Sequence, residues 1–442
     1  MDQPEMSCSA FDEHHPPSND LINECVHCGF CLPTCPTYAL WGREMDSPRG
    51  RIYLMKLGVE GKIQLDPTFV SHMDNCLGCM ACMSACPSGV KYDKLIEATR
   101  SQIERNYDRP LATGILRRLI FDLFPHPKRL RMLLGPMRLY QHSGLQTLVR
   151  RSGVLKLLPT SLRTMEGLIP PIQRSNGKSL PDTIPAQGER RRRVGLLLGC
   201  VQRVVFPEVN SATARVLAAE GCEVVAPSDQ GCCGALMIHA GEEENALAYA
   251  RHTIDVFERA QVDTIVINAA GCGSNLKDYG YLLRDDAQYA DRARAFSAKC
   301  RDISEVLAEL DPHAPRNAVP LKVTYHDSCH LLHAQSVRSQ PRAVLQKIPG
   351  LQLIEPTEAA LCCGSAGIYN LVRPGPAKEL GERKVRAVLA SSPDLVASGN
   401  PGCLLQLRSC MQAAKSTVPV VHFVELVDAS IRGVPPESLL KR

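Results

Sequence analysis

Four cysteines stand within eleven residues in 25-CVHCGFCLPTCP-36, and the same ladder returns at 76-CLGCMACMSACP-87, 51 residues further on. Each follows the spacing C-x2-C-x2-C-x3-C-P. Three thiolates separated by two residues wrap one face of a compact metal–sulfur cluster. The fourth, after a longer step, reaches away and ligates the cluster of the other ladder. The spacing therefore predicts two [4Fe–4S] clusters, one held by Cys25, Cys28, Cys31 and Cys86, the other by Cys76, Cys79, Cys82 and Cys35. Zinc ribbons use two CxxC pairs and lack the third tight cysteine and the x3 step before proline. Two adjacent clusters with no substrate pocket between them form a conduit that takes and passes one electron at a time.

A second constellation is spread more widely. Cys200, Cys232 and Cys233 in 231-GCCGA-235, and Cys272 make one set; Cys329, Cys362 and Cys363 in 362-CCGSAG-367, and Cys403 make another. Corresponding cysteines recur at offsets of 129, 130 and 131 residues, the mark of a duplicated unit. Lone cysteines are often small core residues, and an adjacent pair can be a redox disulfide. Neither explains two CCG units with matched flanking cysteines, so metal–sulfur ligation is the expectation. Cys8, Cys222, Cys300 and Cys410 have no partner at ligand spacing and are read as ordinary thiols.

The elements that must position these cysteines can be read from periodicity. Short apolar runs (194-VGLLLG-199, 223-EVVAP-227, 263-DTIVINAAG-271) alternate with helical stretches such as 242-EEENALAYARHTIDVFERA-260. The pattern repeats through 322-KVTY-325, 351-LQLIE-355, 394-DLVASG-399 and 419-PVVHF-423. Such alternation implies βαβ units and parallel sheets. Every CCG-type cysteine follows a predicted strand, and ligands of open α/β sheets gather at the carboxyl ends of strands. The expected fold is α+β and multidomain: an N-terminal α-helical two-cluster ferredoxin-type domain (1–105), a basic helical segment and linker (106–193), and two tandem α/β halves (194–315 and 316–442) related by pseudo-two-fold duplication.

Composition narrows the class. With 442 residues, 44% hydrophobic and 22% charged, the chain reads as an ordinary globular protein of several domains. Its 20 cysteines in so long a chain are no disulfide scaffold. The acidic start lacks a signal peptide's apolar segment, which predicts a reducing cytoplasm, and no apolar run is long enough to predict a transmembrane helix. The net charge of +5 hides an asymmetry: residues 109–193 carry +13 and the remainder −8. Within the basic stretch, 115-ILRRLIFDLF-124 and 129-RLRMLLGPMRLY-140 interleave apolar and basic residues at helical spacing, and 170–193, ending in four arginines, reads as a linker. The charged stretch 44-EMDSPRGRIYLMK-56 reads as a solvated loop. There is no nucleotide-binding glycine fingerprint, and a single Trp without aromatic interleaving argues against nucleic acid.

Together these motifs resemble the glycolate oxidase iron–sulfur subunit family, across nearly the whole chain. Stretches that carry the resemblance include 25-CVHCGFCLPTCPTYALWGREMDSPRGRIYLMK-56, 231-GCCGALMIHAGE-242, 267-INAAGCGSNLKDYG-280 and 326-HDSCHLLH-333. The resemblance implies two CCG domains and an electron-transfer subunit of an oxidoreductase complex. It would receive electrons from an FAD-containing 2-hydroxy-acid dehydrogenase partner and pass them toward the membrane quinone pool, with no catalytic residue on this chain. Alternatives are the same role in lactate or glycerol 3-phosphate oxidation, or a heterodisulfide reductase-like thiol/disulfide reductase. The expected location is cytoplasmic, peripheral on the inner face of the cytoplasmic membrane, with the basic segment docking a partner there. Heterodisulfide reductase-like relatives carry a fifth cysteine per half for a non-cubane cluster; here Asn275 and Gln406 stand in its place. One or two further clusters are therefore expected in the CCG domains, their type open. His326, His330 and His333 surround Cys329; His330 reads either as a core histidine or as a partner of quinone or cluster sulfur, and His239 as a satisfied core histidine.

Overall fold

Apolar runs such as 194-VGLLL-198 have no polar face, so they suit strands buried on both sides, the condition for parallel pairing. In the computed structural model, which describes residues 10–169 and 180–441, nine strands form two sheets. The first contains β1 (Thr183–Ile184), β2 (Arg192–Leu197), β3 (Cys222–Val225), β4 (Thr264–Ile267) and β5 (Cys300–Asp302), in the order β1-β3-β2-β4-β5. Only β1 runs antiparallel to its neighbour. The second contains β6 (Lys322–His326), β7 (Gln352–Ile354), β8 (Leu395–Ser398) and β9 (Val420–His422), all parallel, in the order β7-β6-β8-β9. Leaving out β1, the two sheets have one topology. In each, the chain leaves its first strand toward one side and later crosses to the other, which opens a crevice at the carboxyl ends of β2/β4 and of β6/β8.

The halves share a core. Val194 and Leu217 of the first lie in one apolar cluster with Val323, Tyr325 and Phe423 of the second. Helix Pro207–Ala219 packs on helix Phe423–Arg432, and Arg215 grips Asp428 with two hydrogen bonds of 2.8 and 2.7 Å. His422 ties the halves again: its Nε2 donates to the Asn268 carbonyl at 2.9 Å while its Nδ1 accepts from the Val424 N–H.

The ferredoxin-type region is a set of helices around the two ladder loops. Ser47 and Asp66 cap helices Pro48–Val59 and Pro67–Asn75, accepting from the amides of Gly50 (3.0 Å) and Phe69 (2.7 Å), each with proline in the first turn. With helix Tyr92–Asn106 they enclose Ile52, Met55, Met73, Leu95, Ile96 and Ile103. This region docks on the first α/β half through Lys94 to Asp278, Arg105 to Glu243 at 3.0 Å, and Arg100 to the His239 carbonyl at 2.7 Å.

The basic segment forms helices Leu111–Leu123, Pro127–His142, Leu145–Ser152 and Thr160–Leu168. Ile120 and Phe121 pack onto Met237, Ile238, Ile368 and Leu371, whereas Leu111, Ile115, Met132, Leu139, Leu148 and Leu157 are exposed. No helix among the described residues is long and apolar enough to cross a membrane.

Two sequence expectations are corrected here. Residues 48–56 are helix rather than solvated loop, and Asp46 and Arg51 are buried as a pair. The arginine run does not end a linker: Arg192 and Arg193 begin β2, neutralised by Glu309 (3.1 Å) and Glu223. Cys8 and residues 170–179 of the expected linker lie outside the described residues.

Candidate iron–sulfur sites

Cys25, Cys28, Cys31 and Cys86 line one small cleft, walled by Val26, Pro48, Ile52 and Tyr92 and edged by Cys82. Cys86 arrives there from the second ladder, beside three cysteines of the first. Gly29 makes the turn inside the first ladder at φ +87°, where an added Cβ would lie 2.9 Å from Arg49 Nη1. The reciprocal crossing brings Cys35 into electrostatic contact with Cys79 and Cys82, beside Cys76. Burial and the neighbouring thiols hold Cys79 and Cys82 well above the usual thiol range. Cys76 behaves otherwise. Burial opposes its ionisation, but Arg51 and Arg100 nearby, the Tyr92 hydroxyl (3.5 Å) and the Gly78 N–H (3.4 Å) lower it. Arg51, 1% exposed, also donates to the His72 carbonyl at 2.7 Å and reaches Thr37 and Asp46.

The CCG-type sets assemble as the topology predicts. Cys200 follows β2, Cys232 and Cys233 follow β3, and Cys272 lies in the first turn of helix Ala270–Lys277 after β4. Cys200 and Cys232 sulfurs are 3.5 Å apart, and Cys233 neighbours Cys272. In the second half Cys329 and Cys362 are 3.9 Å apart, and Cys363 sits between Cys362 and Cys403. The approach of the next thiol, reinforced by burial, pushes Cys200, Cys362 and Cys403 well up. Buried thiols so reluctant to ionise need a bound cation to become thiolates, so each donor set fits a metal–sulfur centre. Asn275 and Gln406 are occupied elsewhere. Asn275 donates to the Cys233 carbonyl at 2.6 Å, as does the Tyr279 hydroxyl at 2.7 Å; Gln406 bridges Asn370 and the Ala377 carbonyl. Asn275 braces the first CCG loop, while Gln406 ties helix Pro374–Ala390 to Asn370. Cys222, Cys300 and Cys410 are packed in apolar core.

The sets adjoin one another. Cys79 and Leu77 of the second ladder pack in one apolar cluster with Cys362 and Cys329. His330 donates from Nε2 to the Gly78 carbonyl at 2.8 Å and meets Ser274, two residues past Cys272, at 3.1 Å. Between the two CCG sets, Asn400 accepts from the Gly271 N–H at 3.3 Å and donates to Cys403 Sγ at 3.5 Å. His333 meets Ser84 at 2.6 Å. His239 is not the satisfied core histidine expected. Its Nδ1 meets Glu97 at 2.8 Å, but its Nε2 has no partner among the described residues. It lines a cavity of about 330 Å³ beside Cys76, with Leu77, Arg100, His330 and Tyr369; the buried Tyr369 hydroxyl is also unpartnered. Sequence reasoning missed Arg51, Arg100, Glu97 and Tyr369. Only Arg51 had a signal, the helix start in 47-SP-48.

Comparison with known proteins agrees with this layout. Residues 24–90 match the 4Fe-4S dicluster domain, 194–277 and 323–408 the cysteine-rich domain, and 112–169 the linker region of the glycolate oxidase iron–sulfur subunit. A Bacillus subtilis protein named "Probable glycolate oxidase iron-sulfur subunit" is 42% identical, covering 92% of this chain and 93% of its own. The Escherichia coli glycolate oxidase iron–sulfur subunit is 36% identical, covering 94% of this chain and 95% of its own. The chain belongs to the glycolate oxidase iron–sulfur subunit family. Like that family it is an iron–sulfur electron-transfer subunit, with a two-[4Fe–4S] domain followed by two cysteine-rich domains. Lactate utilization protein A of Exiguobacterium is 28% identical over 54% of this chain and 98% of its own.

Proposed function

We propose that this chain carries electrons from an FAD-containing 2-hydroxy-acid dehydrogenase subunit, oxidising glycolate, toward the quinone pool. Cys25, Cys28, Cys31 and Cys86 hold one [4Fe–4S] cluster and Cys76, Cys79, Cys82 and Cys35 a second. The two CCG sets, Cys200/Cys232/Cys233/Cys272 and Cys329/Cys362/Cys363/Cys403, hold further metal–sulfur centres. An iron–sulfur cluster supplies one-electron acceptance and release. The chain's own residues set the order of the centres, exclude water and tune the sulfurs. Arg51 and Arg100 favour charge at Cys76, and Tyr92 donates to its sulfur.

The observation that carries this reading is the packing of Cys79 in one apolar cluster with Cys362 and Cys329, which sets the ladders beside the second CCG set. The cavity beside Cys76 supports an exchange point for an oxidised acceptor, since His239, held by Glu97, lines it with its Nε2 unpartnered among the described residues. The exposed apolar residues of the basic helices support peripheral docking on an anionic membrane face.

The test is an anaerobic purification of the tagged chain from its own cell, followed by addition of glycolate, lactate or glycerol 3-phosphate. A co-purified flavoprotein and bleaching of the visible cluster absorbance by glycolate are expected. Bleaching by another substrate keeps the conduit and changes its source. No flavoprotein and no bleaching would reject the reading and favour a thiol/disulfide reductase.

A further inference from the structure

Duplicated halves invite the assumption of duplicated centres, but the end of the first strand differs between them. In the first half β2 ends at Leu197, paired with Ile267 on β4; in the second β6 ends at His326, paired with Ser398 on β8. Each position lies three residues before the first cysteine of its set, Cys200 or Cys329. Leu197 packs in apolar core. His326 is only 1% exposed, and its Nδ1 has no hydrogen-bond partner among the described residues. The polar group its ring does meet is the Cys403 thiol, and a buried imidazole facing cysteine sulfur is placed to share a metal with it.

We propose that His326 is a metal ligand of the second CCG centre, and that the two halves therefore hold chemically different centres. This rests on the reading of the cysteine sets as metal–sulfur sites. A ring nitrogen of His326 and the sulfurs of Cys363 and Cys403 all lie within 4.8 Å of one another, and all three residues are buried. Cys329 and Cys362, 3.9 Å apart, complete the group from the other side. The second half thus converges five donors, four sulfurs and one nitrogen, where the first converges four sulfurs. The position of the absent fifth cysteine does not make up the difference, because Asn275 and Gln406 spend their amides on the backbone and on Asn370.

The chemistry of the donor gives a direction for the variants. Imidazole is a neutral donor and thiolate a charged one, and imidazole in a thiolate's place raises the potential of an iron–sulfur centre, so a thiolate in place of His326 should lower it. Cys79 of the second ladder packs against the His326-bearing set, so electrons leaving the ladders reach that centre first.

The experiment uses the full chain with its clusters, labelled with 15N-histidine and poised across its accessible redox range for pulsed EPR. A directly bound histidine nitrogen on one centre is expected, its coupling switching from the 14N to the 15N pattern on labelling. His326→Leu, which copies the first half, should abolish that coupling, while His333→Leu retains it. His326→Cys should keep the iron and shift that centre's potential to more negative values. No histidine coupling at any potential, or a coupling that survives His326→Leu, would overturn the assignment. Cys362→Ser/Cys363→Ser separates this from the underlying reading. Full iron retention in that variant removes the second CCG site and the proposal with it. Iron loss there, with no histidine coupling in the parent chain, overturns only the role of His326.

Discussion

The ladders and the CCG halves gather thiols with opposite architectures. Each ladder delivers four thiols from eleven contiguous residues, and loop geometry alone gathers three of them. Each CCG set draws its thiols from three separate strand ends, and only a correctly ordered sheet brings them together. The consequence is a different dependence on the fold. A ladder needs little beyond its helices to close. A CCG set fails if β2 and β4, or β6 and β8, lose register. The positions that tune the sulfurs differ too: arginines and Tyr92 beside Cys76, the Asn275 amide and Tyr279 behind Cys233.

Ligand removal probes the contrast most strongly. Cys79→Ser should remove one ladder cluster and slow substrate-driven reduction of the CCG centres by more than the order of 10–100-fold, the cost typical of merely supporting residues; stopped-flow absorbance measures it. Next in size is the buried pair behind the ladders. Arg51→Leu removes the guanidinium from buried Asp46, which keeps its bonds to His72 and Asn75, and should cost about 3 kcal/mol, the low end for a broken buried pair, in denaturant unfolding. A loss under about 1 kcal/mol would mean the ladder region tolerates an unpaired buried charge.

The seam between the CCG halves gives the third prediction. Burial, against its backbone partners, lowers His422 from 6.5 to about 4. A histidine with a depressed folded value is protonated more readily when unfolded, so stability falls as pH drops from about 6.5 to about 4. Relative to His422→Asn, the wild type should lose about 3 kcal/mol across that window. Asp302, raised by burial to about 6, runs the opposite way but is common to both proteins and cancels in the difference. Smaller still, Tyr279→Phe removes one of the two bonds to the Cys233 carbonyl, which Asn275 still holds, and should cost about 0.5–1.5 kcal/mol with a blurred CCG signal in EPR. Last, Cys300→Ala should leave the iron content unchanged, since Cys300 lies on β5 and its thiol donates to the Phe296 carbonyl at 3.4 Å rather than joining a set.

The same contrast explains what is readable from sequence. The ladder sets need only spacing, and the rule that ligands gather at strand ends is enough to put Cys200, Cys232 and Cys272 on one crevice. The adjacency of Cys79 to Cys362 is not readable, because nothing local couples a helical domain to a sheet edge 283 residues away. Charge runs mislead twice. Arg192 and Arg193 look like linker but start a strand, since Glu309 and Glu223 on neighbouring elements neutralise them. Arg51 looks solvated but is buried, since Asp46 and the His72 carbonyl supply its partners. Partners distant in sequence decide where a charge lies, and a single chain's pattern does not display them. In the sequence His326 is only one of three histidines near Cys329; its facing of Cys363 and Cys403 emerges with the β6–β8 register.

On the proposed reading, electrons pass from the ladders into the second CCG set by a single path, through Cys79. The most direct measurement follows reduction of the CCG centres in the purified complex after glycolate is added, by freeze-quench EPR, in wild type and Cys79→Ser. Reduced CCG centres are expected in the wild type, and CCG centres that stay oxidised in the variant. CCG centres reduced at the wild-type rate without the Cys79 cluster would contradict that reading, because electrons would then be entering by another route.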